Sequence, residues 1–186
     1  MNLLKTILEA PDKNILIRAK MGDLDAFERI LSFYEKAIFN YCLRILKNTD
    51  NAKDATQETF IKVYTHRKSI DPEKNIKTWI FTIATNTAYD FIRVKKRRNE
   101  KSIDEKDETI EGIATYYPEE GLISDVEQAL DRINLDYKNA LLLFYQQGFE
   151  YKEIAEILEI PINTVKTRIS RGKEQLKEIL KDYGAN

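Results

Sequence analysis

Tyr151-Lys-Glu-Ile-Ala-Glu-Ile-Leu-Glu-Ile-Pro-Ile-Asn-Thr-Val-Lys-Thr-Arg-Ile-Ser-Arg-Gly-Lys173 is the stretch on which the reading of this chain turns. Its apolar residues recur at helical spacing on either side of Glu159-Ile-Pro161, so it reads as two short helices joined by a tight turn. Ile154, Ala155 and Leu158 form the inner side of the first helix, and Val165 and Ile169 that of the second. Thr164, Lys166, Thr167, Ser170 and Arg171 are left facing outward. A second helix that presents cations and hydroxyls, braced by its neighbour, has the layout of a helix-turn-helix that reads DNA in the major groove. A helical hairpin with a solvated basic face fits this segment as well.

Working outward, strong helical periodicity recurs and β-branched alternation is nearly absent, with 6 Gly and 4 Pro among 186 residues. The fold class expected is all-α. The formal net charge is −1, yet charge is unevenly placed. Arg93-Val-Lys-Lys-Arg-Arg98 is one basic block and Lys166 to Lys177 holds a second, while Glu100 to Glu120 contains eight acidic residues against two lysines. Two basic surfaces separated by an acidic connector follow from this partition. Residues 99–121 therefore read as a flexible acidic linker between two small helical domains, 12–98 and 122–182. Extended, it would span roughly 70–80 Å at ~3.3–3.6 Å per residue.

In the first domain, Gly22-Asp23 reads as a break and N-cap before a long helix with Phe27, Ile30, Leu31, Tyr34, Ile38, Tyr41, Cys42 and Ile45 on one stripe. Asn48-Thr49-Asp50 ends it and caps a helix to about Tyr64. Ala52, Thr56, Thr59, Phe60 and Val63 face inward there, while Asp54, Gln57, Glu58 and Ile61 share the opposite face. That stripe is either solvated surface or a docking face. After the loop His66–Asn75, a helix from about Ile76 to Arg97 offers Trp79, Ile80, Ile83, Ala84, Thr87, Phe91 and Val94 for packing, Trp79 as a core anchor. Its basic end exceeds what a helix C-terminus needs, which points to phosphate. In the second domain, Ser124 and Asp136 are expected as N-caps, Gly148 closes a turn, and Gly172 is expected to loosen a helix interior.

The single Cys42 excludes an internal disulfide and suits a reducing cytosol. The N-terminus has no signal-peptide pattern and no run approaches a membrane span, so a cytoplasmic protein without membrane insertion is expected. One His and no metal-ligand or nucleophile constellation leave a carboxylate nuclease, for example on Asp54 with Glu58 or Asp104 with Glu105, without support. No catalytic residue, metal or cofactor is expected. A free-standing helix-turn-helix regulator with a sensing first domain stays open. The second basic block and the lack of a pocket signature count against it.

Taken together, four motifs in order resemble the sigma-70 family of bacterial RNA polymerase initiation factors, in its short extracytoplasmic-function (ECF) form. They are Gly22-Asp-Leu-Asp-Ala-Phe27, Asp54-Ala-Thr-Gln-Glu-Thr-Phe60, Trp79-Ile-Phe-Thr-Ile-Ala-Thr-Asn86 with Asp90 and Arg93, and Tyr151-Lys-Glu-Ile-Ala155 with Asn163-Thr-Val-Lys-Thr-Arg168. The resemblance implies core RNA polymerase as partner, through its β′ clamp helices and β flap, together with promoter DNA and an anti-sigma factor. It implies that Asp54, Gln57, Glu58 and Ile61 dock on the clamp helices. Ile70, Asn86, Arg93, Lys95, Lys96 and Arg97 would serve the −10 element, Ile70 against a flipped-out base. Thr164, Lys166, Thr167, Arg168, Ser170 and Arg171 would serve the −35 element, Arg168 at the backbone. Departures from the family pattern are Glu159 where Gly is common in the turn, Asn163 at the helix start and Glu150 in place of a Ser or Thr cap.

Overall fold

Every regular element among the described residues is helical. The structure is a computed structural model and describes residues 10–101 and 122–183. Contacts divide the chain into two units, Met1–Asp107 and Glu108–Asn186. Most of the expected acidic linker, residues 102–121, lies outside the described residues.

In the first unit, polar caps set where each helix begins. Asp12 opens α1 (Lys13–Lys20), its Oδ1 accepting from the Ile15 N–H at 2.8 Å. Asp23 opens α2 (Leu24–Leu46) by accepting from the Ala26 N–H at 3.1 Å, as expected from the sequence. Lys47, at φ 54°, ends α2, and Asn48 then caps α3 (Thr49–Thr65), accepting from the Asn51 N–H at 2.8 Å. A 3-10 turn, Arg67–Ser69, leads through the loop to α4 (Ile76–Lys101), which runs one turn beyond the expected end.

Apolar faces then drive packing of α2, α3 and α4 around one core. Ile30, Ile38, Tyr41, Val63, Ile80 and Phe81 are fully buried, each contributing about 1.5–3 kcal/mol relative to exposure. Ala52, Ala55, Ala84 and Ala88, all at 0% exposure, let the backbones approach closely. Tyr41 packs edge-on to Phe81 at 5.4 Å, and its hydroxyl hydrogen-bonds the Thr85 hydroxyl at 2.7 Å. Thr56 and Thr59 can be buried because each donates to the carbonyl one turn back, Ala52 and Ala55, at 2.7 Å. Val94, expected to pack, is 47% exposed, because α4 has by then run past its neighbours' ends. Trp79 is half-buried and so only partly a core anchor.

The second unit comprises α5 (Leu122–Arg132), α6 (Leu135–Leu141) continued by a π turn (Leu142–Gln146), α7 (Tyr151–Leu158) and α8 (Ile162–Tyr183). Three local expectations are corrected. Ser124 lies inside α5 rather than before it. Asn134, not Asp136, caps α6, its Oδ1 accepting from the Asp136 N–H at 2.8 Å. Gly172 does not loosen α8 but lets it seat: a Cβ there would lie 2.9 Å from Leu141 Cδ1 and 3.2 Å from Tyr137 Cβ. Leu143, Phe149, Ile154, Ile157, Val165 and Ile169 make the core that α7 and α8 share with α6.

Candidate functional site

The face of α3 turned away from the core carries the stripe singled out in the sequence. Asp54, Gln57 and Ile61 are exposed and Glu58 half-buried. Ile61 is 57% exposed, an apolar side chain on the same helix face as two carboxylates and an amide. Glu58 pairs with Lys62 at 2.7 Å, and the same Lys62 Nζ donates to the Thr87 hydroxyl of α4 at 3.1 Å. Asp90 of α4 lies 3.8 Å from that ammonium and accepts from Arg93 at 3.0 Å. Beside Ile61, an apolar groove of about 880 Å³ runs between α2 and α3, walled by Phe27, Leu31, Phe39, Phe60 and Tyr64. The sequence reading missed this groove, since periodicity marks a wide apolar stripe but not how much of it a neighbour covers. Phe27 and Leu31, expected in the core, are half-buried on its wall.

Along α4, Asn86, Asp90, Arg93 and Arg97 fall on one face at helical spacing, all exposed, and Lys95 and Lys96 are exposed beside them. Ile70 departs from the expectation. It is 1% exposed, closing the core below the 3-10 turn, and its carbonyl accepts from Lys20 at 2.8 Å. A base cannot rest on it in this conformation. The loop that holds it leaves Lys68, Ser69 and Asp71 outward.

In the second unit the turn between α7 and α8 is built as the sequence suggested. Glu159 adopts φ 53°, ψ 42°, the left-handed conformation, and the Ile160 N–H closes back on the Ala155 carbonyl at 3.1 Å. Glu150 holds the α7 N-terminus through its own N–H, which donates to the Glu153 carboxylate at 2.9 Å. Asn163 sits inside the first turn of α8, which begins at Ile162, and its carbonyl accepts from the Thr167 hydroxyl at 2.9 Å. Lys166, Ser170, Lys173 and Lys177 form one exposed stripe along α8, with Thr167 and Arg171 beside it and Thr164 half-buried at its start. Arg168 is turned inward instead. Its side chain is 21% exposed and pairs with Asp136 at 2.9 Å. The neighbouring Tyr137 hydroxyl holds the Arg171 guanidinium above the ordinary arginine range.

Among the described residues no cluster of His, Cys, Asp or Glu could hold a metal ion, and no helix is long and apolar enough to cross a membrane. What the geometry offers is surface: an acidic and apolar stripe with a groove in one unit, and cationic helix faces in both.

Comparison with known proteins follows the same division. Family models described as Sigma-70 region 2 and Sigma-70, region 4 match residues 32–98 and 123–176. The chain is 34% identical to the ECF RNA polymerase sigma factor SigW of Bacillus subtilis, over 94% of this chain and 100% of that protein. It is 30% identical to an ECF RNA polymerase sigma-E factor of Haemophilus influenzae, over 89% of this chain and 93% of the relative. Among solved structures it is similar to the sigma factor RpoE bound to the anti-sigma factor NepR from Bartonella quintana. There the TM-score is 0.73 at 29% identity, covering 83% of this chain and 96% of that one. The fold is shared with CnrH in complex with the cytosolic domain of CnrY, TM-score 0.71 at 18% identity, covering 93% of this chain and 99% of that one.

Proposed function

This chain belongs to the sigma-70 family of RNA polymerase sigma factors, in its ECF branch, and from that premise we propose how its two units divide the work. It is a transcription initiation factor that joins core RNA polymerase and directs it to promoters. The first unit, taken as residues 12–98, seats on the β′ clamp helices through Asp54, Gln57, Glu58 and Ile61. Carboxylates and the amide would pair with basic and polar groups there, while Ile61 excludes water between them. Its α4 then serves the −10 element. Asn86 would bond a base edge, and Arg93, Lys95, Lys96 and Arg97 would take phosphates. The acidic stretch 99–121 links this unit to the second, 122–182. There Thr164, Lys166, Thr167, Ser170 and Arg171 read the −35 element and the β flap is the polymerase contact.

The observation that carries this reading is the exposed stripe of Lys166, Ser170, Lys173 and Lys177, borne by a helix whose other side is locked into the core by Val165, Ile169 and Gly172. A rigid helix with cations and hydroxyls on one side meets the needs of a groove reader. The chain performs no chemistry of its own and acts in the cytoplasm, where the template is. An anti-sigma factor is its regulator, a reading supported by likeness to a sigma factor solved with one.

The experiment is transcription reconstituted from core polymerase and this chain on genomic DNA, with start sites mapped. Lys166→Ala with Arg171→Ala should abolish promoter selection and leave core binding intact. Asp54→Lys with Glu58→Lys should weaken core binding, and unchanged affinity there would refute the docking face.

A further inference from the structure

Arg168 and Gly172 lie outside the exposed stripe of the reading helix and hold its middle against α6. Gly172 lies one turn beyond Arg168 on the same side of α8, and its missing side chain lets α8 rest against Leu141 and Tyr137 of α6. That contact brings the first turn of α6 alongside two cations. Asp136 takes Arg168 at 2.9 Å, and the Tyr137 hydroxyl neighbours Arg171. Asp136 remains 49% exposed, so it also places a negative charge where a phosphate would otherwise approach Arg168.

We infer that Arg168 is a positioning residue: paired with Asp136 and seated by Gly172, it fixes the angle of α8 on its unit and takes no phosphate from DNA. The inference rests on the −35 reading proposed above. Its physical basis is that a guanidinium with only 21% of its side chain exposed, already bonded to a carboxylate, has little left to gain from an oxyanion in solvent. A fixed helix angle matters because base-edge contacts need each side chain placed to within a fraction of an ångström, whereas phosphate contacts tolerate slack. Arg168 would thus act on sequence discrimination through the pose of Lys166, Thr167, Ser170 and Arg171.

Counting phosphates tests this directly. Each phosphate neutralised by a cation adds about 0.9 to the slope of log affinity against log salt. Holoenzyme reconstituted with core polymerase would be titrated with a fragment carrying one mapped promoter and with its scrambled version, across a range of KCl. For Arg168→Met the expected result is an unchanged salt slope and a several-fold loss of discrimination between the two fragments. For Asp136→Asn, which frees the guanidinium without removing it, the slope should steepen by about 0.9 and scrambled DNA should bind more tightly. A slope flattened by about 0.9 in Arg168→Met would overturn the inference, as would Asp136→Asn behaving as wild type. Wild-type holoenzyme that does not tell the two fragments apart would overturn the parent reading along with this one.

Discussion

Replacing Gly172 by Ala should weaken the second unit, although Ala is ordinarily the better helix former. In a helix interior the exchange gains about 1 kcal/mol. Here the new methyl would sit 2.9 Å from Leu141 Cδ1 and 3.2 Å from both Leu141 Cγ and Tyr137 Cβ. Tyr137 Cβ is fixed to its backbone, and Leu141 is 4% exposed with nowhere to swing. Relief therefore requires α8 to move away from α6. Overpacking of this kind costs about 1–3 kcal/mol, and contact with a Cβ that cannot turn away places it toward the upper part of that range. The net expectation is a loss of about 1–2 kcal/mol, equivalent to roughly 5–10 °C in the melting temperature of a domain this size. Far-UV circular dichroism of the full chain would follow all helices, while the single tryptophan, Trp79, reports the first unit alone. The Trp79 transition should stay in place while the dichroism shows an earlier loss. A variant as stable as wild type, or more so, would refute the reasoning that Gly172 is kept for close approach.

Other perturbations have equally definite outcomes. Glu159→Gly should stabilise the turn by about 0.5–1 kcal/mol in urea denaturation, because the φ of 53° is strained for a residue with a Cβ while Gly gives back only part of that as chain entropy. Cys42 is buried and its thiol is pushed up to about 12 by desolvation, so a thiol reagent at pH 8 should label it only as fast as the first unit opens, with the rate rising in denaturant. The Asp23 carboxyl is held below its ordinary 3.8 by the Ala26 N–H and then by Arg18. A depressed folded value means the stabilisation is present above the ordinary value and lost as pH falls through the folded one. Asp23→Ala should therefore unfold at lower urea than wild type near neutrality, and the two curves should converge in acid.

How much of this was legible in the chain depends on the range over which each feature is decided. Caps at Asp23 and Asn48, the turn at Glu159 and the apolar sides of α3 and α8 are settled within four or five residues. Periodicity and capping chemistry sufficed for them. On α7, by contrast, Ile157 joins Ile154 in the core and the expected Ala155 and Leu158 stay half-buried. The outward stripes of Asp54, Gln57, Glu58 and Ile61 and of Lys166, Thr167, Ser170 and Arg171 follow from the same register, since fixing the buried side of a helix fixes its free side.

What the residues could not say is which neighbours would come to lie across from them. The family resemblance sets Ile70 against a flipped-out base, yet the 3-10 turn folds it under the core at 1% exposure. Arg168 reads as one more cation of the reading helix, until α6 brings Asp136 within 2.9 Å. Gly172 reads as a weak point in a helix and proves to be where two helices touch. The groove beside Ile61 exists only because α3 covers part of the α2 stripe and leaves Phe27 and Leu31 on a wall. Helix register is a local property that hydrogen bonds along one segment enforce. Burial of a particular side chain depends on contacts between segments distant along the chain, and those form only once the units have closed.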